Sequence, residues 1–205
     1  MDATLMQRVV DGDEDAFAEI VGQYKDSLVN YLTHLTRSRE RAEELAQDAF
    51  VRLYRNAARY VDAERVGPLL YKIATNLAVS VVRRERRWSL LLPRFQATTS
   101  QQSVSPDAGL LSDEVQKNVH AALGQLPLKY RAPLVLFEIE EWSYDEIGRA
   151  LGLPSGTVKS RIARARERLR SHLAPFWNGG NHERPRAQRV AASASAREGV
   201  VPIQL

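Results

Sequence analysis

Cysteine is absent from the 205 residues of the chain, and long apolar runs are absent too. Without cysteine there are no disulfide bonds, no thiolate ligands for a metal and no thiol nucleophile. The longest apolar clusters, such as Leu90–Leu92, are far shorter than the ~20 residues that a membrane-spanning helix needs. No stretch near the start has the apolar core of a signal peptide. We therefore expect a soluble, cytoplasmic protein without membrane insertion.

Motifs of catalysis and cofactor binding are equally scarce. The four histidines have no metal-ligand spacing, and neither a His-Glu-x-x-His motif nor a Gly-rich phosphate loop occurs. Asp11, Asp13 and Asp15 mimic the start of a calcium-binding loop, but Ala16 occupies the required Gly position and Gly22 the required Glu position. This acidic stretch fits helix initiation better. We expect no catalytic residues, no metal and no cofactor.

The composition is that of a globular protein with a moderate excess of positive charge. Apolar residues make up 44% of the chain, which is enough for hydrophobic cores, and charged residues make up 26%. The net charge is +4 and the pI is about 9.5. This balance points mildly to a polyanionic partner, and the distribution of the charges is more informative than their total.

Apolar residues recur at helical spacing in the N-terminal part, and no strand-like alternation competes with this pattern. Within residues 41–57 one face of the predicted helix is apolar, with Leu45, Ala49, Phe50, Leu53 and Ala57. The opposite face carries Glu44, Asp48, Arg52 and Arg55. Another helix is predicted from about Pro68, because proline suits a first turn. The fold class is therefore predicted to be all-α.

Composition divides the chain into two small helical domains. Residues 1–87 are predicted to form the first domain and residues 111–175 the second. Residues 88–110, rich in Ser, Gln, Thr and Pro, are predicted to be a flexible linker. Residues 176–205 have little to bury, so a disordered tail is expected, although its final VVPIQL is alternatively a docking peptide.

The stretch GTVKSRIARARERLR, residues 156–170, carries one lysine and five arginines. An apolar stripe at helical spacing runs through and beyond it, with Val158, Ile162, Ala165, Leu169 and Leu173. Taken alone, this is a basic amphipathic helix whose charges simply face water.

The preceding residues favour a helix-turn-helix. Ser143 and Glu146 have capping-box spacing, which marks the start of a short helix. Gly152 suits a turn, Pro154 interrupts the helix and Ser155 is suited to cap the next one. In a helix-turn-helix the second helix presents its N-terminal polar residues to the major groove. This favours DNA recognition over a solvated face.

Along the second helix the expected roles differ. Lys159, Ser160 and Arg164 are the candidates for reading bases, and Arg161 is placed to reach a base or a phosphate. Three arginines further along are expected to contact phosphates or to face water: Arg166, Arg168 and Arg170.

Residues 126–170, LPLKYRAPLVLFEIEEWSYDEIGRALGLPSGTVKSRIARARERLR, closely resemble the promoter-binding C-terminal domain of bacterial extracytoplasmic-function (ECF) sigma factors, in the sigma-70 family. RAEELAQDAFVRLYRNA resembles the helix by which such factors bind core polymerase. GPLLYKIATNLAVSVVRRERR resembles the following helix, which recognises and helps open the downstream promoter element. The resemblance runs from about Asp15 to Leu173, and it implies an alternative sigma factor that directs core RNA polymerase to the −10 and −35 promoter elements.

The resemblance also implies site residues and partners. Core polymerase would be bound by Glu44, Gln47 and Asp48; the alternative is intrahelical pairing of these carboxylates with Arg52 and Arg55. The downstream element would be bound by Arg55, Arg59, Tyr60, Lys72, Asn76, Arg83 and Arg84, with a loop at 56–65 reaching an unpaired base. Alternatively, Arg83 and Arg84 only supply positive charge at the end of their helix, where the helix dipole favours it. The upstream element would be bound by Thr157, Lys159, Ser160, Arg161 and Arg164. An anti-sigma factor is implied as a further partner, and the free protein is expected to be a monomer.

Some positions depart from the family pattern. Leu69-Leu70 stands where the family usually has Trp-Leu, and Ser80 where aspartate is common. Gly148 replaces a usual alanine and is expected to weaken its helix by about 1 kcal/mol. Pro133 is expected to kink its helix or to lie near a helix start.

A conventional dimeric regulator that binds a palindrome is the rival interpretation of the helix-turn-helix. It leaves the resemblance of the N-terminal block unexplained.

The length of the linker offers a further test. As a free coil the linker spans roughly 25 Å, but it reaches up to ~75–80 Å when extended. The two promoter elements of the family lie roughly 70 Å apart. Core polymerase must therefore hold the linker extended, and the free protein is expected to fold its domains together and hide its DNA-binding surfaces.

Overall fold

A computed structural model of the chain describes residues 2–60, 65–91 and 110–177. Every regular element in these ranges is helical, in agreement with the predicted all-α fold class. The helices are α1 (Asp2–Val10), α2 (Glu14–Thr36), α3 (Arg39–Arg55), α4 (Val66–Leu91), α5 (Leu110–Gln125), α6 (Leu128–Glu138), α7 (Tyr144–Leu151) and α8 (Ser155–Trp177). A short 3-10 turn, Ala57–Arg59, follows α3.

The acidic stretch before α2 is a helix start, as its composition predicts. Asp13 is the N-cap residue, and its Oδ1 accepts a hydrogen bond from the Ala16 amide at 3.1 Å. Arg8 on α1 lies 2.7 Å from the same carboxylate. The amide hydrogen bond and this arginine hold the Asp13 pKa below its usual value, so the cap stays charged. The helix cap and the ion pair with Arg8 therefore account for Asp13.

The first domain is formed by helices α1 to α4. The apolar face that was predicted for α3 is buried: Leu45, Ala49, Phe50, Leu53 and Ala57 are at most 7% exposed. In the core of the first domain, the Tyr31 hydroxyl shares a 2.8 Å hydrogen bond with the Thr75 hydroxyl. This bond satisfies both buried groups and links α2 to α4.

The second domain is formed by helices α5 to α8. On α8, Val158, Ile162, Ala165 and Leu173 are buried as predicted, and Leu169 packs against the same core while partly exposed. Pro133 lies in the middle of α6 rather than near its start, and it is buried. Its missing amide costs α6 one backbone hydrogen bond, which burial of this apolar helix offsets.

The two domains pack against each other, mainly through α4 with α7 and through the end of α2 with α5 and α6. Helix α4 continues past residue 87 to Leu91, α5 begins at Leu110, and α8 ends at Trp177. The rest of the predicted linker, residues 92–109, and of the predicted tail, residues 178–205, lies outside the described residues.

Candidate nucleic-acid and polymerase interfaces

Helices α7 and α8 form the predicted helix-turn-helix. The Ser143 hydroxyl accepts a hydrogen bond from the Glu146 amide, and the Glu146 carboxylate accepts one from the Ser143 amide at 3.1 Å. This is the reciprocal capping box that the spacing predicts. Burial is small here, and the bonds from Ser143 hold the Glu146 pKa below its usual value. Gly152 ends α7 in the left-handed conformation, with φ of 65°.

The turn between the two helices is short and close-packed. The Leu153 amide donates to the Gly148 carbonyl at 2.9 Å, and the Pro154 carbonyl accepts from the amides of Thr157 and Val158. Pro154 rather than Ser155 thus precedes the first turn of α8. Ser155 is already helical, and its hydroxyl donates to the Asp145 carboxylate on α7. The helix-turn-helix is therefore joined both by backbone and by side-chain hydrogen bonds.

Gly148 has a role that helix propensity alone does not reveal. A Cβ atom at this position would lie 2.7 Å from the Leu153 carbonyl oxygen, which belongs to the backbone of the turn. Glycine therefore allows the turn to fold back closely against α7. The closer packing of the two helices offsets the loss of helix stability that glycine is expected to cause at this position.

The first turns of α8 present the residues predicted to bind the upstream element. Lys159, Ser160 and Arg164 are exposed, and Thr157 and Arg161 are partly exposed. The Ser160 hydroxyl donates to the Thr157 carbonyl at 3.0 Å. Because the apolar stripe of α8 is buried in the domain, the polar side of these turns faces outward. The structure thus brings all five predicted residues to one accessible end of the helix.

Further along α8 the arginines have partners within the domain. Arg166 lies 2.7 Å from the Glu138 carboxylate, and its guanidinium stacks over the Phe137 ring at 5.2 Å. The guanidinium of Arg168 lies 5.1 Å from the centre of the Tyr130 ring. In the structure Arg166 does not simply face water, because a carboxylate of α6 holds its side chain; its contact with phosphate stays a prediction.

Tyr130 on α6 also contacts the first turns of α8, the end of the helix that is predicted to read bases. A hydrogen bond from Arg164, together with the charges of Lys129 and Arg168, holds the Tyr130 pKa below its usual value. No pattern in the sequence indicates a role for Tyr130. The only local signal was its place next to Lys129, since the two arginines lie more than thirty positions away.

The residues predicted to bind the downstream element lie on the end of α3, the 3-10 turn and α4. Tyr60 is partly buried. The other six residues are exposed: Arg55, Arg59, Lys72, Asn76, Arg83 and Arg84. Lys72, Asn76 and Arg83 fall on one stripe of α4 that extends about 17 Å along the helix. The structure places Arg84 to the side of this stripe. Residues 61–64, four of the ten residues of the loop expected to reach an unpaired base, lie outside the described residues.

The residues predicted to bind core polymerase lie together on the outer face of α3. Glu44, Gln47 and Asp48 are all exposed. Among the residues that the structure describes, neither carboxylate reaches a cation within 4.0 Å, so the alternative of pairing with Arg52 or Arg55 is not observed.

An apolar groove lies beside this face, between α2 and α3. Gln47 forms part of its wall, and its apolar lining comes from Phe17, Val21, Phe50, Val51 and Tyr54. The rings of Phe17 and Tyr54 are 4.9 Å apart, yet Tyr54 remains 48% exposed and Val51 39%. The groove was not predicted from the sequence. The available signal was the presence of these two side chains next to the charged face of α3.

Metal sites and membrane-spanning helices are both absent from the described residues. In the part of the chain that the structure describes, no three His, Asp or Glu residues are grouped as metal ligands would be. Within the same ranges, no helix combines the length and the apolar character needed to cross a membrane.

Comparison with known proteins gives the family. The model for Sigma-70 region 2 matches residues 20–88, and that for Sigma-70, region 4, matches residues 116–169. The chain is 35% identical over 176 residues to the ECF RNA polymerase sigma factor SigW of Bacillus subtilis, covering 82% of this chain and 94% of that protein. It is 32% identical over 188 residues to the RNA polymerase sigma-H factor of Pseudomonas aeruginosa, covering 85% of this chain and 95% of that protein.

Solved structures share the fold. The chain aligns with CnrH, in its complex with the cytosolic domain of CnrY, with a TM-score of 0.63 and 22% identity over 85% of this chain and 97% of that one. It aligns with the sigma factor RpoE from Bartonella quintana, in complex with the anti-sigma factor NepR, with a TM-score of 0.59 and 23% identity. That alignment covers 77% of this chain and 96% of that one.

The chain belongs to the family of ECF RNA polymerase sigma factors. It is an alternative sigma factor that binds core RNA polymerase, recognises the two promoter elements and promotes initiation of transcription. It is not an enzyme, because the polymerase carries out the chemistry. The interpretation as a dimeric regulator is set aside, since the family resemblance covers both domains.

Proposed function

We propose that the first turns of α8 recognise the upstream promoter element, with Lys159, Ser160 and Arg164 contacting bases. The observation that supports this most strongly is the helix-turn-helix geometry, in which the apolar stripe of α8 is buried and its polar N-terminal turns are exposed. Thr157 and Arg161, at the same end, supply contacts to the base edges or to the adjacent phosphates. Tyr130 orients Arg164 through their hydrogen bond.

The stripe of α4 and the residues before it bind the downstream element. Lys72, Asn76 and Arg83 follow the DNA along one side of the helix, and Arg84 contacts the backbone beside them. Arg55, Arg59 and Tyr60 lie at the entrance to the loop that receives an unpaired base. Unstacking that base costs a few kcal/mol, which stacking and cationic contacts offset.

The outer face of α3 binds core polymerase through Glu44, Gln47 and Asp48. Within the described ranges no cation lies within 4.0 Å of the Glu44 and Asp48 carboxylates, so they are available to a basic surface. Screening by salt is expected to weaken this contact. The apolar groove beside Gln47 extends this face with area that a polymerase helix can bury.

An anti-sigma factor is a further partner, and the protein acts in the cytoplasm as a monomer when free. Support for this partner comes from the fold neighbour RpoE, which was solved in complex with the anti-sigma factor NepR. The cytoplasmic location follows from its work with RNA polymerase and agrees with the absence of cysteine from the sequence.

Run-off transcription with purified core polymerase tests this function. Discrete start sites on genomic fragments that require the added protein are the expected result, and they define both promoter elements. Lys159→Ala and Arg164→Ala should each abolish most of this transcription, while the exposed and more distal Arg170→Ala should retain it. Failure to bind core polymerase, combined with tight binding to a palindromic duplex, contradicts the proposal.

A further inference from the structure

Three positively charged side chains converge on Tyr130, in the first turn of α6. The Lys129 ammonium lies over its ring, 5.0 Å from the ring centre, and the Arg168 guanidinium lies over it at 5.1 Å. Arg164 donates a hydrogen bond to the hydroxyl, so cations from both α6 and α8 contact this side chain. Tyr130 is 7% exposed, whereas the three cations are themselves exposed.

The charges around this ring are not offset by carboxylates in the part of the chain that the structure describes. Within these ranges no carboxylate oxygen lies within 4.0 Å of Lys129, Arg164 or Arg168. Arg166, by contrast, is paired with Glu138 at 2.7 Å. Arg164 and Arg168 are four residues apart and share one side of α8, and Arg166 lies on the other. One side of the helix is therefore neutralised, and the other keeps its positive charge.

The Tyr130 hydroxyl shows the effect of this excess charge. The hydrogen bond from Arg164, together with the charges of Lys129 and Arg168, holds the pKa of Tyr130 below its usual value. The site thus favours the negatively charged form of a group that lies within it. The same cations stabilise any other anion that reaches them from solvent.

The position of this site on α8 indicates which anion it binds. Arg164 is predicted to read bases, and Arg168 follows it by four residues, which is about 6 Å along the helix axis. The major groove is about 12 Å wide, so the backbone phosphates lie about 6 Å from its centre. With Arg164 at the base edges, Arg168 and the neighbouring Lys129 therefore lie at the border of the groove, where the DNA backbone runs.

We propose that Lys129 and Arg168 together bind one backbone phosphate beside the upstream promoter element, and that Tyr130 positions both cations. This inference rests on the proposed function, because it requires Arg164 to lie at the bases of that element. It gives the start of α6 a role in DNA binding. A phosphate contact carries no sequence information, but it fixes the register of α8 in the groove.

Neutral methylphosphonate linkages test the contact one phosphate at a time. The full chain is bound to duplexes that carry the upstream element as run-off transcription defines it, with one linkage neutralised in each duplex. Fluorescence anisotropy measures the affinity. We expect one linkage whose neutralisation weakens wild-type binding about tenfold, but weakens binding of Lys129→Ala/Arg168→Ala less than about twofold. If every linkage has the same effect on the wild type and on this double variant, the inference is overturned.

The dependence of affinity on salt concentration gives an independent measurement. Because one phosphate contact is lost, the logarithmic salt slope of the double variant should be smaller in magnitude by about 0.9. Its preference for the specific over a scrambled duplex should stay unchanged. Arg52→Ala/Arg170→Ala removes the same charge from two exposed positions and should keep the wild-type slope. Equal slopes for the two double variants contradict the inference.

Two substitutions of Tyr130 test its positioning role, at concentrations corrected for the folded fraction. Tyr130→Leu removes the ring and should abolish the response to the neutralised linkage, whereas Tyr130→Phe keeps the ring and should retain it. A full response in Tyr130→Leu overturns this role, because loss of stability alone does not change which phosphate is contacted.

The remaining outcomes separate this inference from the proposed function. If Lys159→Ala and Arg164→Ala weaken binding to the upstream element but no linkage responds to Lys129 and Arg168, only the inference fails. If Lys159→Ala and Arg164→Ala also leave binding unchanged, the proposed function fails with it. A Lys129→Ala/Arg168→Ala variant that binds DNA like the wild type but loses affinity for core polymerase assigns these cations to an acidic protein surface and overturns the inference.

Discussion

The Nη1 atom of Arg131 on α6 lies 3.0 Å from the carbonyl oxygen of Leu35, ninety-six residues earlier at the end of α2. Within the described ranges Arg131 forms no ion pair, so backbone carbonyls rather than a carboxylate surround its charge. Burial, with a contribution from Arg37, lowers the Arg131 pKa to about 10, which leaves the group charged at neutral pH. A buried charge of this kind is held only while both helix ends stay in place.

Arg131→Met tests the importance of this charge for stability. Methionine fills a similar volume but leaves the carbonyls of Leu35, Gly124 and Leu126 without their donor. We expect the free energy of unfolding to fall by about 2–4 kcal/mol, because these buried acceptors lose a charged donor. Urea unfolding followed by circular dichroism measures the change. Arg170→Met, at an exposed position, should change the stability by less than about 0.5 kcal/mol. Equal effects of the two substitutions would refute the argument.

His34 should make the protein less stable in acid. Its pKa is about 4 in the folded protein and near 6.5 when unfolded, so the unfolded state takes up the proton first. This contribution is fully present above about pH 6.5 and is lost as the pH falls toward 4. The facing groups, His120 on α5 and Arg131 on α6, are basic and do not compensate the new charge. Between pH 7 and pH 5 the expected loss is about 2 kcal/mol.

Urea unfolding at the two pH values checks this prediction, with His34→Phe as the comparison. Phenylalanine keeps an aromatic ring against His120 but cannot titrate. The variant should lose clearly less stability than the wild type between pH 7 and pH 5. An unchanged pH dependence would assign the titration to other groups.

Gly148→Ala should destabilise the protein, although helix propensity alone predicts a gain of about 1 kcal/mol. The added methyl group would meet the Leu153 carbonyl at 2.7 Å, and this backbone atom cannot move without opening the turn. We expect a net loss of about 1–3 kcal/mol. Gly22 on α2 is the matched control, because no atom lies within 4 Å of a Cβ added there. In thermal unfolding, Gly22→Ala should have a higher Tm than the wild type and Gly148→Ala a lower one.

Local patterns in the sequence were sufficient for much of this architecture. The apolar stripe of α3, the capping box of Ser143 and Glu146, and the left-handed Gly152 depend on residues within a few positions of each other. Such features follow from helical periodicity and from the demand of helix ends for hydrogen bonds. The exposure of the predicted DNA-binding residues follows from the same periodicity, while their individual roles stay predictions.

Contacts between distant residues could not be predicted in this way. Arg131 has partners 96 residues away, and Arg166 is paired with Glu138, 28 positions earlier. In the sequence an arginine that is tied to a carboxylate looks the same as one that is available to DNA. The groove between α2 and α3 likewise depends on how the two helices pack, which periodicity on each helix leaves open.

Arg164→Ala and Arg166→Ala should therefore separate DNA recognition from stability, although both arginines lie on the same basic helix. Arg164 is exposed at the reading end, so its loss should weaken binding to the upstream element by ~1–3 kcal/mol and relax its sequence preference. Arg166 is held by Glu138 and Phe137, and its loss should lower the free energy of unfolding by about 1 kcal/mol. Fluorescence anisotropy with specific and scrambled duplexes, at protein concentrations corrected for the folded fraction, measures the difference. A loss of affinity for Arg166→Ala as large as that for Arg164→Ala would place Arg166 at the DNA, which requires its ion pair with Glu138 to break on binding.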